Sequence, residues 1–544
     1  MPKISQWTAF YSFIPLFFGA LSTPAIAFSL TPIGTFETGI FDESAAEIPA
    51  YDPLTKSLFV TNGESNQIDV LDLTNPSSPA LKFSISLAGG VNSVAYSNNI
   101  IAAAVEADPA QDPGLIQFFS TDGTFLNQVT VGALPDMVTF TPDGTKLLVA
   151  NEGEPSSDYN DDPEGSVSII SIPDFSVTTA GFSKFNGTVL DESIRIFGPG
   201  ASVAQDLEPE YITVSKDSST AWVSLQENNA FGILDIASGE FTQLVGLGFK
   251  DHSLPGNGLD PSDRDDGINI NTFDHLFGLY QPDAITSYLV GDKTYIVSAN
   301  EGDARDYDGL QEEERVKDLV LDPDAFGDAD ELQEDEELGR LTVTTTLGDT
   351  DNDGDFDKLY AFGGRSFSIW DEDGNLVFDS GDDFEQIVAE ILPDYFNANN
   401  DENDFDSRSD AKGPEPEGVT IGEIMGRTYA FIGLERVGGV MTYDVSDPFN
   451  PIFEGYFNNR NFAGDPEEGT AGDLGPEGLL FIGAEDSPNS NPLLVVTNEV
   501  SGSTTIYAID PETEKVPEPT SSLGLLAMGI LSWLGFKRKV FANR

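Results

Sequence analysis

The amino-acid sequence predicts an all-β fold, a β-propeller of seven blades with material for an eighth and with acidic loop insertions. Three observations point there: a two-part motif that recurs seven times, a spacing that begins near 45 residues, and short apolar strands set off by turn signals with scarce helical periodicity.

The first half of the motif is an acid, once Asn, that opens an apolar segment rich in β-formers. The copies are Glu47-Ile-Pro-Ala-Tyr51, Asn92-Ser-Val-Ala-Tyr96, Asp136-Met-Val-Thr-Phe140, Glu210-Tyr-Ile-Thr-Val214, Asp283-Ala-Ile-Thr-Ser287, Glu417-Gly-Val-Thr-Ile421 and Glu477-Gly-Leu-Leu-Phe481. Proline precedes five of them. The second half is an apolar strand ending in Glu, often after Asn, at Glu152, Glu227, Glu301, Glu435 and Glu499, with looser copies at Glu64 and Glu106. A third strand usually follows, as at Ile68-Asp-Val-Leu-Asp-Leu73 or Val440-Met-Thr-Tyr443. Successive first positions lie 45, 44, 74, 73, 134 and 60 residues apart. The shorter intervals fit one propeller blade and the longer ones blades with insertions. Turns are marked by Pro142-Asp-Gly144, Asp122-Gly123 and Asp373-Gly374. Residues 359–380 offer strands for an eighth blade without the signature, and a spare strand at 30–36 would close the ring against the last blade. A pair of β-sandwiches leaves the sevenfold register unexplained. The largest insertions are 249–280, 303–340 and 382–413. The middle one, with Glu312–Glu314 and Glu334–Glu337, is expected to hold a short acidic helix and otherwise to be a solvated excursion.

Composition narrows the chemistry. The 544 residues include 93 acidic and 26 basic ones, a net charge of −67, and no cysteine. Five of the basic residues lie in the two apolar ends (Lys3, Lys537, Arg538, Lys539, Arg544), so the body is more acidic still. Such a body repels nucleic acid and anionic lipid and attracts cations. The lack of cysteine excludes disulfides, thiolate nucleophiles and Cys-ligated metals. No Gly-x-Ser-x-Gly elbow, P-loop or His-Glu-x-x-His is present, and the two histidines, His252 and His275, share one insertion.

In a propeller blade the first strand leaves one face and the second returns to it. Glu47, Asp136, Glu210, Asp283, Glu417 and Glu477, with Asn92, are therefore expected around the channel mouth, and Glu152, Glu227, Glu301, Glu435 and Glu499 beside them. Crowded carboxylates raise each other's pKa and call for cations, arginines or backbone amides. Oxygen donors without Cys favour calcium or magnesium. Arg305, Arg365, Arg408, Arg436 and Arg460 are the available arginines. A separate calcium candidate is the loop Asp349-Thr-Asp351-Asn-Asp353-Gly354-Asp355-Phe-Asp357, with acids at alternate positions and glycine at the sixth. Tyr360 stands at its twelfth position, so it is an isolated loop, not an EF-hand. A lesser acidic turn holds Asp260, Asp263, Asp265 and Asp266.

The ends read as export signals. Lys3, the apolar stretch 7–21 and Ala25-Ile-Ala27 follow the order of a signal peptide, residues 1–27, cleaved after Ala27. The propeller then spans 28–512 and a tail 516–544. In the tail, Pro517-Glu518-Pro519 precedes the apolar run 523–536 and Lys537-Arg538-Lys539. Fourteen helical residues span about 21 Å, short of a ~30 Å hydrocarbon core unless flanking residues extend it. The basic end would stay cytoplasmic, leaving the body outside. This order resembles the PEP-CTERM sorting signal. The resemblance implies an exosortase-type protease as partner and a Gram-negative-type bacterium as source. It also implies a transient inner-membrane anchor, the only membrane contact, and a secreted or cell-surface product.

The body resembles the choice-of-anchor I domain family. The motifs are Asp206-Leu-Glu-Pro-Glu-Tyr211, Ser224-Leu-Gln-Glu-Asn-Asn229, Ala299-Asn-Glu-Gly-Asp-Ala304, Gly364-Arg-Ser-Phe-Ser-Ile-Trp370, Gly413-Pro-Glu-Pro-Glu-Gly418, Leu434-Glu-Arg-Val-Gly-Gly439 and Leu474-Gly-Pro-Glu-Gly478. Members pair a propeller-like domain with one of several sorting tails and resemble mesenchyme-specific cell-surface glycoproteins. No catalytic residues come with the resemblance. Two functions are expected from it and from the acids together. One is a surface propeller that binds an extracellular polymer or surface protein with calcium stiffening its loops. The other is a calcium-dependent phosphoesterase, which needs Arg305, Arg365, Arg408, Lys412 or Arg436 beside the acids.

Overall fold

A computed structural model of the chain describes residues 26–513, of which 29–510 make one compact unit. Residues 1–25 of the expected signal and the whole sorting tail, with Pro517, Glu518 and Pro519, lie outside the described residues. No described helix is long and apolar enough to cross a membrane.

Seven four-stranded sheets repeat along the chain. The first takes Pro49–Asp52, Ser57–Asn62, Gln67–Asp72 and Ala80–Ser86, each strand pairing with the next. The next five follow the same plan, with innermost strands Val91–Ser97, Pro135–Phe140, Ile212–Val214, Ile285–Val290 and Pro416–Ile424. In the seventh, Pro476–Ile482 is innermost, Leu493–Asn498 and Ser503–Thr513 follow, and the N-terminal strand Ile26–Glu37 is outermost. Each innermost strand neighbours the next, and the seventh neighbours the first. That is the closed ring of a propeller, with the N-terminal strand completing the last blade as expected.

The packing explains the apolar second strands. Leu148 and Val223 of the third and fourth blades share one buried layer, Val297 and Ile432 of the fifth and sixth another, and Leu58 and Leu493 of the first and seventh a third. A sheet buried on both faces needs apolar residues at successive positions, which is why Ser57–Asn62 and Leu493–Asn498 are buried throughout.

Two expectations are corrected. The strands assigned to an eighth blade, Ser366–Asp371 and Leu376–Asp379, are the third and fourth strands of the fifth blade, paired to Lys293–Asn300. The middle insertion is not a solvated excursion either. Phe249–Asp251, Leu276–Leu279, Leu359–Ala361, Thr342–Thr344 and Glu313–Arg315 form a five-stranded sheet. Leu259, Leu276, Val316, Leu338, Leu341 and Val343 give it a core of its own. The expected acidic helix is a single turn, Ala329–Leu332, while Glu313 and Glu314 are in a strand.

Candidate metal centre on the ring axis

The repeated acid sits where the innermost strand bulges. In the third, sixth and seventh blades the pairs Asp136-Met137, Glu417-Gly418 and Glu477-Gly478 oppose a single residue of the second strand. In the second blade Asn92 is the extra residue. A bulge re-aims a side chain, and here it turns the acid inward. The preceding proline has no N–H to leave unpaired at this irregular start. Gly418 and Gly478 are required by proximity: a Cβ would lie 1.9 Å from the Glu477 carbonyl oxygen and 2.1 Å from that of Glu47. The sixth and seventh blades, the two with a glycine after the acid, thus rest it on the next blade's acid.

The asparagine before the second-strand Glu is structural. Asn151 Nδ2 donates to Ser166 and Ser168 Oγ at 3.2 and 3.1 Å, and Asn300 Nδ2 to Ser366 and Ser368 Oγ at 3.2 and 2.8 Å. These bonds fix the strand end, and the next residue projects to the axial face. The backbone N–H of Glu152, Glu435 and Glu499 then returns to the segment before the innermost strand, bonding Leu134, Glu415 and Gly475 oxygens.

All seven blades line one axial cavity of about 60 Å³, through Ile48, Asn92, Asp136, Tyr211, Asp283, Val419 and Glu477. That volume is near two waters' share of the liquid. Around it, one oxygen each of Glu47, Glu477 and Glu499 lie within 4.8 Å of one another, and the same holds for Asp283, Glu301 and Glu417 and for Glu301, Glu415 and Glu435. Glu152, Glu210 and Glu227 continue the face electrostatically, each acting on at least one of the others.

Burial, reinforced by neighbouring acids, raises nine of the axial acids above ordinary carboxyl values. Glu47 is pushed up to about 8, Asp136 to about 7 and Glu435 to about 8. Glu152, Glu210, Asp283, Glu417 and Glu477 are raised well beyond their usual range, and Glu499 is raised, with burial the first cause throughout. The Oε2 atoms of Glu208, Glu210, Glu227, Glu417 and Glu477 are buried and accept no hydrogen bond. Glu227 as a whole is only 4% exposed.

Cations answer only part of the face. Lys412 Nζ meets Glu301 at 2.6 Å and Glu415 at 3.2 Å, and Arg436 Nε lies 3.1 Å from both Glu415 and Glu435. With Arg408 these outweigh burial and hold Glu415 down at about 2. Of the other expected arginines, Arg305 answers Glu208 at the edge of the face, while Arg365 and Arg460 serve elsewhere. Arg305 binds Asp206 and Glu208 at 2.5 and 2.8 Å, Arg365 binds Glu385 at 2.6 Å, and Arg460 donates to backbone oxygens of Arg436 and Glu402. Arg305 and Arg195 stack on the Phe197 ring at 4.5 and 4.1 Å, and Arg195 pairs with Glu312, tying the insertion down.

Glu208, Glu415 and Glu154 belong to the face and escaped the repeat. The first two had a signal: Glu208-Pro209-Glu210 and Glu415-Pro416-Glu417 place a second acid two residues before the repeated one. Elsewhere, Asp349, Asp351 and Asp353 bring oxygens within 4.8 Å of one another, whereas Asp357 accepts from Thr350 N at 2.7 Å. Desolvation first, then the bonded and like-charged Asp353, raises Asp355 to about 6. Asp260 of the lesser turn is buried and accepts from Asn269 and Ser262 backbone N–H, a structural role. His252 is buried, its Nδ1 2.7 Å from the Asn257 oxygen, and burial keeps it neutral at about 3.

The ring and its inward acids define a β-propeller with a carboxylate-lined axis. Residues 47–448 match the choice-of-anchor I domain, and residues 515–539 match the PEP-CTERM protein-sorting motif. The chain belongs to the choice-of-anchor I family and carries the tail of an exported protein processed by an exosortase-type enzyme. It is similar to gigasin-3a of Magallana gigas, 31% identical over 200 residues, 35% of this chain and 70% of that protein. It is also similar to the mesenchyme-specific cell surface glycoprotein of Strongylocentrotus purpuratus, 28% identical over 334 residues, 52% of this chain and 42% of that protein. Among solved structures, Kuenenia stuttgartiensis hydrazine synthase gives a TM-score of 0.46 at 11% identity, covering 88% of this chain and all 100% of that one. The Myceliophteria thermophila Cps50 (Swd1) β-propeller domain gives 0.42 at 8% identity, covering 89% and 100%. Likeness at this level is too distant to transfer a function.

Proposed function

We propose that this is a bacterial surface protein, of a Gram-negative-type envelope, whose axial carboxylates bind divalent cations, calcium foremost, and through them an extracellular polymer or cell-surface protein. One observation carries the reading. Asp136, Asp283 and Glu477, from three blades, line one cavity, three triads of acids bring oxygens within 4.8 Å of one another, and Glu227, almost fully buried, has an oxygen with no donor to meet it. Buried carboxylates in such number need protons or metal ions, and an all-oxygen set suits calcium. The loop holding Asp349, Asp351 and Asp353 is a second calcium position in this reading. The sea-urchin relative's name, a cell surface glycoprotein, agrees with a surface role.

Titration calorimetry with calcium, after chelation, is the test. Saturable binding with a rise in Tm supports the reading, and its absence removes it. The same preparation, assayed on a generic phosphomonoester with calcium and with chelator, addresses the phosphoesterase reading. That reading needs a free cation beside the metal, whereas Lys412 and Arg436 are already committed to Glu301, Glu415 and Glu435. No calcium-dependent turnover is expected.

A further inference from the structure

The ring has no covalent closure. It contains no cysteine, and its first and last blades meet through side chains and backbone alone. At that seam three carboxylates converge from two remote parts of the chain. Glu47 precedes the innermost strand of the first blade, whereas Glu477 and Glu499 belong to the seventh. The backbone beneath them is pinned. Thr497 Oγ1 donates to the Glu47 carbonyl, 450 residues away in sequence, and to Gly478 O at 3.0 Å.

Of the three axial triads among the described residues, only this one contains no carboxylate in an ion pair with Lys or Arg. Arg436 acts on Glu499 but is bonded to Glu415 and Glu435. Glu477 Oε2 is out of contact with solvent and accepts no hydrogen bond, and Glu477 and Glu499 lie in carboxyl–carboxyl contact. A pair of acids in that position needs a shared proton or an ion between them. Ion–oxygen bonds of about 2.4 Å put two ligands of one ion at most about 4.8 Å apart, and these three oxygens all lie within that distance of one another.

Resting on the cation-binding reading above, we propose that Glu47, Glu477 and Glu499 hold one divalent cation that clasps the first blade to the last. The ion joins residues brought together only when the ring closes, so it binds the closed ring and opposes opening of the seam. Burial and like charge raise all three acids, Glu47 to about 8, and an ion favours their ionised forms, so binding releases protons.

The test uses the full-length protein, chelated and then titrated with calcium chloride. Hydrogen exchange is followed at residues 44–49 and 475–502 and, as a reference, in the fourth blade. At calcium 100 times its Kd, exchange through seam opening is expected to slow about 100-fold, with little change in the fourth blade. Glu477→Gln should lose that protection and one bound calcium per chain while other sites still fill. Glu47→Gln, a gentler change in a loop, should do the same. If wild type binds calcium but both variants keep the full stoichiometry and the seam protection, the clasp is wrong and the wider reading stands. If wild type binds no divalent ion, both fall together.

Discussion

Acidic side chains fall into two populations here. Those in turns are satisfied: Asp143 accepts from the Thr141 hydroxyl at 2.7 Å and the Thr145 N–H at 2.9 Å, and Asp217 from the Ser215 and Ser219 hydroxyls at 2.8 and 2.6 Å. These bonds depress their pKa values, so they ionise without penalty. The axial acids have few such donors: Gln226 Nε2 donates to Glu301 at 3.0 Å, Asn400 Nδ2 to Glu435 at 2.9 Å, and Ser44 and Thr61 bond Glu47. Among the described residues, Lys412 is the lysine set among them. It is raised well above the usual range because Glu301 and Glu415 outweigh its burial. Lys412→Met should therefore destabilise the chelated protein by about 3 kcal/mol, the cost of breaking a largely buried pair. Calcium should restore part of that loss, because a freed Glu301 completes the set with Asp283 and Glu417. Urea denaturation in chelator and in calcium reads both effects. A loss that calcium does not touch would show that Lys412 is not standing in for an ion.

At the scale of the blade, the repeat couples the acid to its packing. The glycine after Glu417 or Glu477 lets the next blade's carbonyl approach within the radius of a methyl group. Gly418→Ala or Gly478→Ala should cost about 3 kcal/mol, since backbone cannot yield as a side chain can. Gly181→Ala, in an outer strand with no atom within 4 Å of the added Cβ, should stay within about 0.5 kcal/mol of wild type. Equal losses at all three positions would detach the motif from ring geometry. This coupling is also why so much of the ring was legible beforehand. Acid, bulge and apolar strand recur because every blade solves the same packing problem. What escaped was non-local. Strands two and three of the fifth blade, bonded between Asn300 and Ser366, lie 66 residues apart. No local period joins them, and Ser366–Asp371 looked like a blade of its own. The insertion strands Thr342–Thr344 and Leu359–Ala361 are too short to show alternation. Which acids gain a cation depends on where the insertion 382–413 lays Lys412 and Arg408, and sequence spacing carries no trace of that.

For the whole molecule, the axial acids invert the ordinary relation between pH and stability. An unfolded chain releases carboxyl protons near pH 4–4.5, whereas the folded, metal-free ring keeps them at Glu47, Asp136 and Glu435 up to about 8, 7 and 8. Between those limits the folded state binds more protons than the unfolded one, so stability falls as pH rises. The contribution is whole below about pH 4.5 and gone above about pH 8. Glu415, held at about 2, works the other way, but its window lies below pH 4.5. The metal-free protein should therefore melt higher at pH 5 than at pH 8. Calcium should reverse the order, since ligation favours the ionised carboxylate and strengthens as protons leave. A net charge of −67 also disfavours the fold at high pH, so the sites need separating from the total. A double change, Glu47→Gln with Asp136→Asn, removes two titrating acids and barely alters that total, so it should flatten the slope. Thermal melts in chelator from pH 5 to 8 decide the matter: a wild-type Tm that holds steady or climbs would mean these acids do not carry their protons in the folded ring.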